Sequence, residues 1–134
     1  MNKMILAARK TRKWAMRVRK KYGFPASLAG MCAICSYKLA ELLPSSTIHV
    51  ANNHVWVTYH GFVIDVTATQ FNLKPVLVLP IDEYNKITSM YIKKDVRIYY
   101  DLTSFINGLI KLHWPNDQLP AQYNQISTYS SLGR

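Results

Sequence analysis

"HVWVTYHGFVIDVTATQF", residues 54–71, alternates apolar and polar side chains around a central His60-Gly61. A period of two marks strands, and His-Gly suits a two-residue hairpin turn whose central residues take positive φ. That turn sets the register: Tyr59 faces Phe62, Thr58 faces Val63, Val57 faces Ile64, Trp56 faces Asp65, Val55 faces Val66 and His54 faces Thr67. One face then carries Val55, Val57, Tyr59, Phe62, Ile64 and Val66, all apolar. The other carries His54, Trp56, Thr58, Val63, Asp65 and Thr67. On it His54 and Asp65 lie on a diagonal about 5–8 Å long, within reach of a shared hydrogen bond.

Outward from the hairpin, residues 3–21 lack Gly and Pro, and Met4, Ala8, Thr11, Ala15, Val18 and Tyr22 recur at helical spacing. This predicts a basic amphipathic helix over 1–22, ended by Gly23 and Pro25. A second helix is expected from about Cys32, with Cys32, Cys35, Ser36, Leu39 and Leu43 facing the core, Lys38 and Glu41 facing outward, and Pro44 beyond its end. Residues 44–53, "PSSTIHVANN", read as a loop that includes His49. Residues 74–81, "KPVLVLPI", read as a buried strand and 91–100 as another. Residues 101–112 read as a short helix capped by Asp101 or Thr103. One domain over 1–114 is expected, with its core at 28–71, strands and a helix over 75–112, and a loosely ordered tail at 115–134.

The chain has 134 residues, 49% of them hydrophobic, with no run near the ~18 apolar residues of a membrane span. The apolar stretch at 4–8 falls short of a secretory h-region of roughly 7–15 residues, so a cytoplasmic protein is expected. Cys32 and Cys35 form C-A-I-C without a second cysteine pair or a suitably spaced His, so neither a metal nor a cofactor is expected. The net charge of +10 is concentrated: nine of seventeen Lys and Arg fall within residues 1–21, and the first acidic residue is Glu41. The charge belongs to one helix and not to the whole domain.

These residue types admit a specific chemistry. A His whose tautomer is fixed by a carboxylate on one ring nitrogen can accept a thiol proton on the other. A cysteine in the first turn of a helix is favoured as nucleophile by unpaired N–H groups and the helix dipole. By that argument Cys32 is the nucleophile in preference to Cys35, His54 the base and Asp65 its orienting partner. Trp56 and Thr67 read as packing and hydrogen-bonding neighbours. The same residues also admit a structural reading, a hydrogen-bonded pair on a sheet beside a cysteine that packs as a small hydrophobe.

"GMCAICSYKLAELL" followed by "HVWVTYHGFVIDVTATQF" resembles the transglutaminase-like branch of the papain-like superfamily. The resemblance rests on Gly30 and Cys32 as G-x-C at a helix start, on His54, Trp56 and Val57 as H-x-W-V, and on Asp65 with Thr67 on the next strand. It covers roughly residues 28–71, about a third of the chain. It implies an α+β fold in which the Cys-bearing helix packs on a small antiparallel sheet, a Cys-His-Asp triad, and acyl transfer from a peptide bond or glutamine side chain in a protein or peptide substrate. Hydrolysis, deamidation and transamidation stay open. The Gln that precedes the nucleophile in papain has no counterpart, since no Gln occurs before Cys32. The oxyanion donors implied are backbone N–H groups together with Trp14 or Gln70. The alternative is a binding protein that contacts nucleic acid, an anionic membrane or an acidic protein through its 1–21 helix, on a papain-like scaffold whose triad is unused.

Overall fold

An uninterrupted run of helix-forming residues builds α1 (Asn2–Tyr22), with Arg19, Lys20 and Lys21 in its last turn, where cations suit the dipole. In this computed structural model the structure describes residues 2–51, 53–89 and 96–113. The expected tail at 115–134 and the first part of the expected 91–100 strand lie outside them. Gly23, at φ 80°, ends α1, and the Phe24 N–H donates back to the Arg19 carbonyl at 2.9 Å, closing a helix-terminating turn. After the connecting loop come α2 (Cys32–Leu42), β1 (Thr47–Val50), β2 (Val55–Tyr59), β3 (Phe62–Asp65), a 3₁₀ turn over Ala68–Phe71, β4 (Leu77–Pro80), α3 (Ile81–Thr88), β5 (Arg97–Tyr99) and α4 (Leu102–His113). Among the described residues this is an α+β fold of four α-helices and one open antiparallel sheet, ordered β4-β3-β2-β1-β5.

The β2–β3 hairpin turns at His60 and Gly61, with φ of 49° and 82°, and pairs Tyr59 with Phe62, Thr58 with Val63 and Val57 with Ile64, the register expected from the sequence. Its two faces serve two cores. Val55, Val57, Ile64 and Val66 join Ile48 and Val50 of β1 beneath α1 and α2, where Ala8, Trp14, Ala15, Leu28, Cys35 and Leu39 are buried. Trp56 and Val63 form the second core with Ala51, Ala68, Leu77 and Tyr84. The expected apolar face is therefore the larger core, and the polar face is itself half covered.

Three expectations need correction. Residues 47–50 are a strand inside the sheet and not a loop: Ile48 and Val50 point into the core, and His49 pairs with Trp56. "KPVLVLPI" contributes only Leu77–Pro80, at the sheet edge, with Leu77 buried and Pro80 exposed, as suits a residue with no N–H to donate. Its Ile81 instead opens α3, with Asp82 and Glu83 at the helix's positive end. Lys38 does not face outward. It is fully buried, with its ammonium 5.5 Å from the Trp14 ring centre and 4.0 Å from Glu41 Oε1. At α4 the expected cap is present: of the two candidates, Asp101 accepts from the Ser104 N–H at 2.8 Å.

Ile64 is fully buried on the hairpin strand that both cores share. Ile64→Ala should therefore lower unfolding stability by about 2–5 kcal/mol in a urea titration. A loss close to zero would show that the hairpin is not the core of the fold.

Candidate functional site

β2 begins one residue after His54, and β3 ends on Asp65, so the hairpin delivers both groups to one end of one sheet face. His54 is 1% exposed and Asp65 2%. His54 Nε2 lies 2.7 Å from Asp65 Oδ2. The same oxygen accepts from the Tyr84 hydroxyl at 2.8 Å, while Oδ1 accepts from the Thr67 N–H at 3.0 Å and the Thr67 hydroxyl at 3.3 Å. A buried carboxylate needs such partners. The His54 ring is held between Trp56, stacked at 6.0 Å and 19°, and Phe71, edge-on at 4.9 Å. With Nε2 committed to Asp65, Nδ1 is the nitrogen left to act, and Gln70 Nε2 donates to it at 3.1 Å.

Cys32 reaches this ring from α2. Leu28 and Gly30 both take positive φ, 63° and 86°, and swing the chain so that α2 begins at Cys32. Gly30 meets that conformation without side-chain strain. Met31 caps α2 with no side-chain hydrogen bond, so its side chain takes none of the first-turn N–H groups. The half-buried Cys32 thiol is a hydrogen-bonding neighbour of His54. Cys35, one turn on, is fully buried among core residues.

The charges are mutually dependent. Burial opposes a charge on His54, but the Asp65 carboxylate and its hydrogen bond, with Cys32, outweigh it and hold the imidazole pKa above its ordinary value. Burial likewise opposes the Asp65 charge, and His54, Tyr84 and the Thr67 N–H reverse it, so the carboxyl stays below the usual range. Burial pushes the Cys35 thiol up, and the nearby Cys32 and Asp65 push it further. Tyr84 is also pushed up, by burial first and then by Asp65.

The structure thus brings together Cys32, His54, Asp65, Trp56, Thr67 and Gln70. Trp14 is placed in the α1–α2 core beneath Lys38, six residues along α2 from Cys32, and its buried indole N–H has no acceptor among the described residues. Tyr84 and Phe71 join the site without having been expected. The 3₁₀ turn that carries Phe71 had no periodic signal, and Tyr84 sits on the helix hidden behind Pro80. His49, stacked on Trp56 at 5.6 Å, extends the aromatic row and accepts or donates to Thr47 and Thr58 at 3.1 and 3.0 Å. Among the described residues no group of three or more His, Cys, Asp and Glu could hold a metal ion, and no helix is long and apolar enough to cross a membrane. Compared with known proteins, the chain matches no family model, no curated protein and no solved structure.

The pair sets a pH window for stability. Asp65, with its pKa held down, contributes stability that is present above the unfolded carboxylate value of about 3.9 and is lost as pH falls through the folded one. His54, with its pKa held up, contributes stability that is present below the unfolded imidazole value of about 6.5 and is lost as pH rises through the folded one. Urea midpoints across pH should therefore peak between these values. In Asp65→Asn the peak should flatten, with the gap to the parent closing as pH falls below about 4. A constant gap at every pH would contradict the assignment.

Proposed function

We propose that the protein is a thiol-dependent acyl-transfer enzyme with a papain-like, transglutaminase-like core, acting on a peptide bond or a glutamine side chain in a polypeptide. The observation that carries this reading is the company His54 keeps: Asp65 on Nε2, and the Cys32 thiol at the start of a helix as a further neighbour of the imidazole. A purely structural His–Asp pair has no need of a half-buried cysteine beside the imidazole.

In the proposed reaction the Cys32 proton moves to His54 Nδ1 and Sγ attacks the amide carbonyl carbon. The carbonyl oxygen takes up the negative charge and is met by N–H groups of the first turn of α2. His54 gives its proton to the leaving nitrogen, the C–N bond breaks, and a thioester with Cys32 remains. Water or an amine then attacks the thioester, giving up its proton to His54, and Sγ leaves with that proton returned. Asp65, through Nε2, keeps the ring in the required orientation and stabilises its charged form. Gln70 can serve both ring states by presenting its N–H to neutral Nδ1 or, with the amide turned over, its carbonyl to protonated Nδ1. In the second state its N–H groups turn away from the ring and become available to the oxyanion.

The charged form of His54 persists toward neutral pH, so iodoacetamide at pH 6 should modify Cys32 well before Cys35. Peptide mapping reads this directly. His54→Ala should slow the reaction at Cys32, and turnover of any amide substrate should fall about 10²-fold or more. Cys35→Ala should leave alkylation of Cys32 in place and lower stability by about 1 kcal/mol or less for the small volume lost. Equal, slow labelling of both cysteines, unchanged in His54→Ala, would leave the triad without a role.

A further inference from the structure

Leu6, Arg9, Lys10, Arg12, Lys13 and Val76 line a groove of about 660 Å³ beside α1. Four of these six residues are cations, and among the described residues no carboxylate pairs with Arg9, Lys10 or Lys13. The apolar members are equally distinctive: Leu6 is 66% exposed and Val76 is half-buried. Arg12 links the groove to the site. Its Nη1 donates to the Val66 carbonyl at 2.8 Å and the Thr69 hydroxyl at 3.0 Å, and the Thr69 hydroxyl donates to the Ser27 carbonyl at 2.7 Å. One residue beyond Thr69 is Gln70, bonded to His54, and Ser27 begins the bend that delivers Cys32.

We propose that this groove binds an acidic stretch of the polypeptide substrate, with its carboxylates on Arg9, Lys10 and Lys13 and an apolar side chain between Leu6 and Val76. The assignment of this ligand as substrate rests on the acyl-transfer reading above. Charge complementarity selects an anion, the apolar lining one with an apolar group between its charges, and the acyl-transfer reading makes it a polypeptide. A nucleic acid carries a phosphate at every residue and would draw equally on Lys20 and Lys21, which lie on the same helix but outside the groove. A bound acidic segment would contact the far side of Arg12, the residue that holds the Thr67–Phe71 segment against the loop before Cys32.

The test is fluorescence anisotropy at low salt on the Cys32→Ala full-length protein, which binds without turnover. The probes are a fluorescein-labelled peptide of repeated Glu-Glu-Leu, the same peptide with Gln for Glu, and a labelled single-stranded oligonucleotide of equal charge. The acidic peptide should bind best. Arg9→Glu with Lys13→Glu should weaken it about tenfold or more, whereas Lys20→Glu with Lys21→Glu should change it by about twofold or less. Should the first pair fail to fold by circular dichroism, Arg9→Gln with Lys13→Gln carries the same comparison. Equal weakening by the two pairs, or tighter binding of the oligonucleotide, would overturn the groove as a peptide site. Alkylation of Cys32 in the parent, run alongside, separates the two levels. A reactive Cys32 without peptide binding overturns the groove alone. Peptide binding beside an unreactive Cys32 overturns the acyl-transfer reading and with it the assignment as substrate.

Discussion

The buried carboxylate of Asp65 is the constraint around which this half of the molecule is arranged. Four donors meet its two oxygens: the His54 ring, the Thr67 N–H and hydroxyl, and the Tyr84 hydroxyl. They come from three structural features: His54 from the entry to β2, both Thr67 donors from the turn after β3, and Tyr84 from α3. A charge removed from water is tolerated only when so satisfied, and removing one partner of such a pair typically costs roughly 3–5 kcal/mol. The small second core, with Trp56 and Tyr84 in tilted contact at 5.8 Å, keeps water from the carboxylate and so keeps its influence on His54 strong.

How much of this could be read from residues follows from the range of the interactions involved. The hairpin was legible because its alternation, its His60-Gly61 turn and its paired polar groups lie within a few residues of one another. The start of α2 at Cys32 was legible from the Gly30 and apolar spacing around it. β1 was harder. "TIHV" has the alternation of a strand but only four residues, flanked by Pro44, two serines and two asparagines that together resemble a loop. Tyr84 left no local sign at all, because its role is a contact across nineteen residues. Lys38 ran against the general rule that Lys avoids full burial, and its partners include the Trp14 ring on α1 and Glu41 one turn along α2.

The basic helix is less separate from the domain than its charge suggests. Met4, Ala7, Ala8, Thr11, Trp14, Ala15 and Val18 are buried, so one face of α1 is core and the cations occupy the rest. Arg12 belongs to both faces, since it borders the solvent groove and holds the turn that carries Gln70. The segment that gives the chain its charge is thus physically continuous with the residues around His54, and truncating it would disturb the site as well as remove charge.

Acyl transfer at this site requires Cys32, His54 and Asp65 to act as one unit. The most direct measurement is a long-range proton–nitrogen NMR spectrum of the histidine rings near neutral pH, before and after alkylation of Cys32. In a working triad the His54 Nε2 carries a proton held by Asp65, the ring's charge persists above the ordinary imidazole value of about 6.5, and the His54 ring signals shift when Cys32 is modified. A His54 that titrates like a solvent-exposed imidazole and is indifferent to alkylation of Cys32 would contradict it.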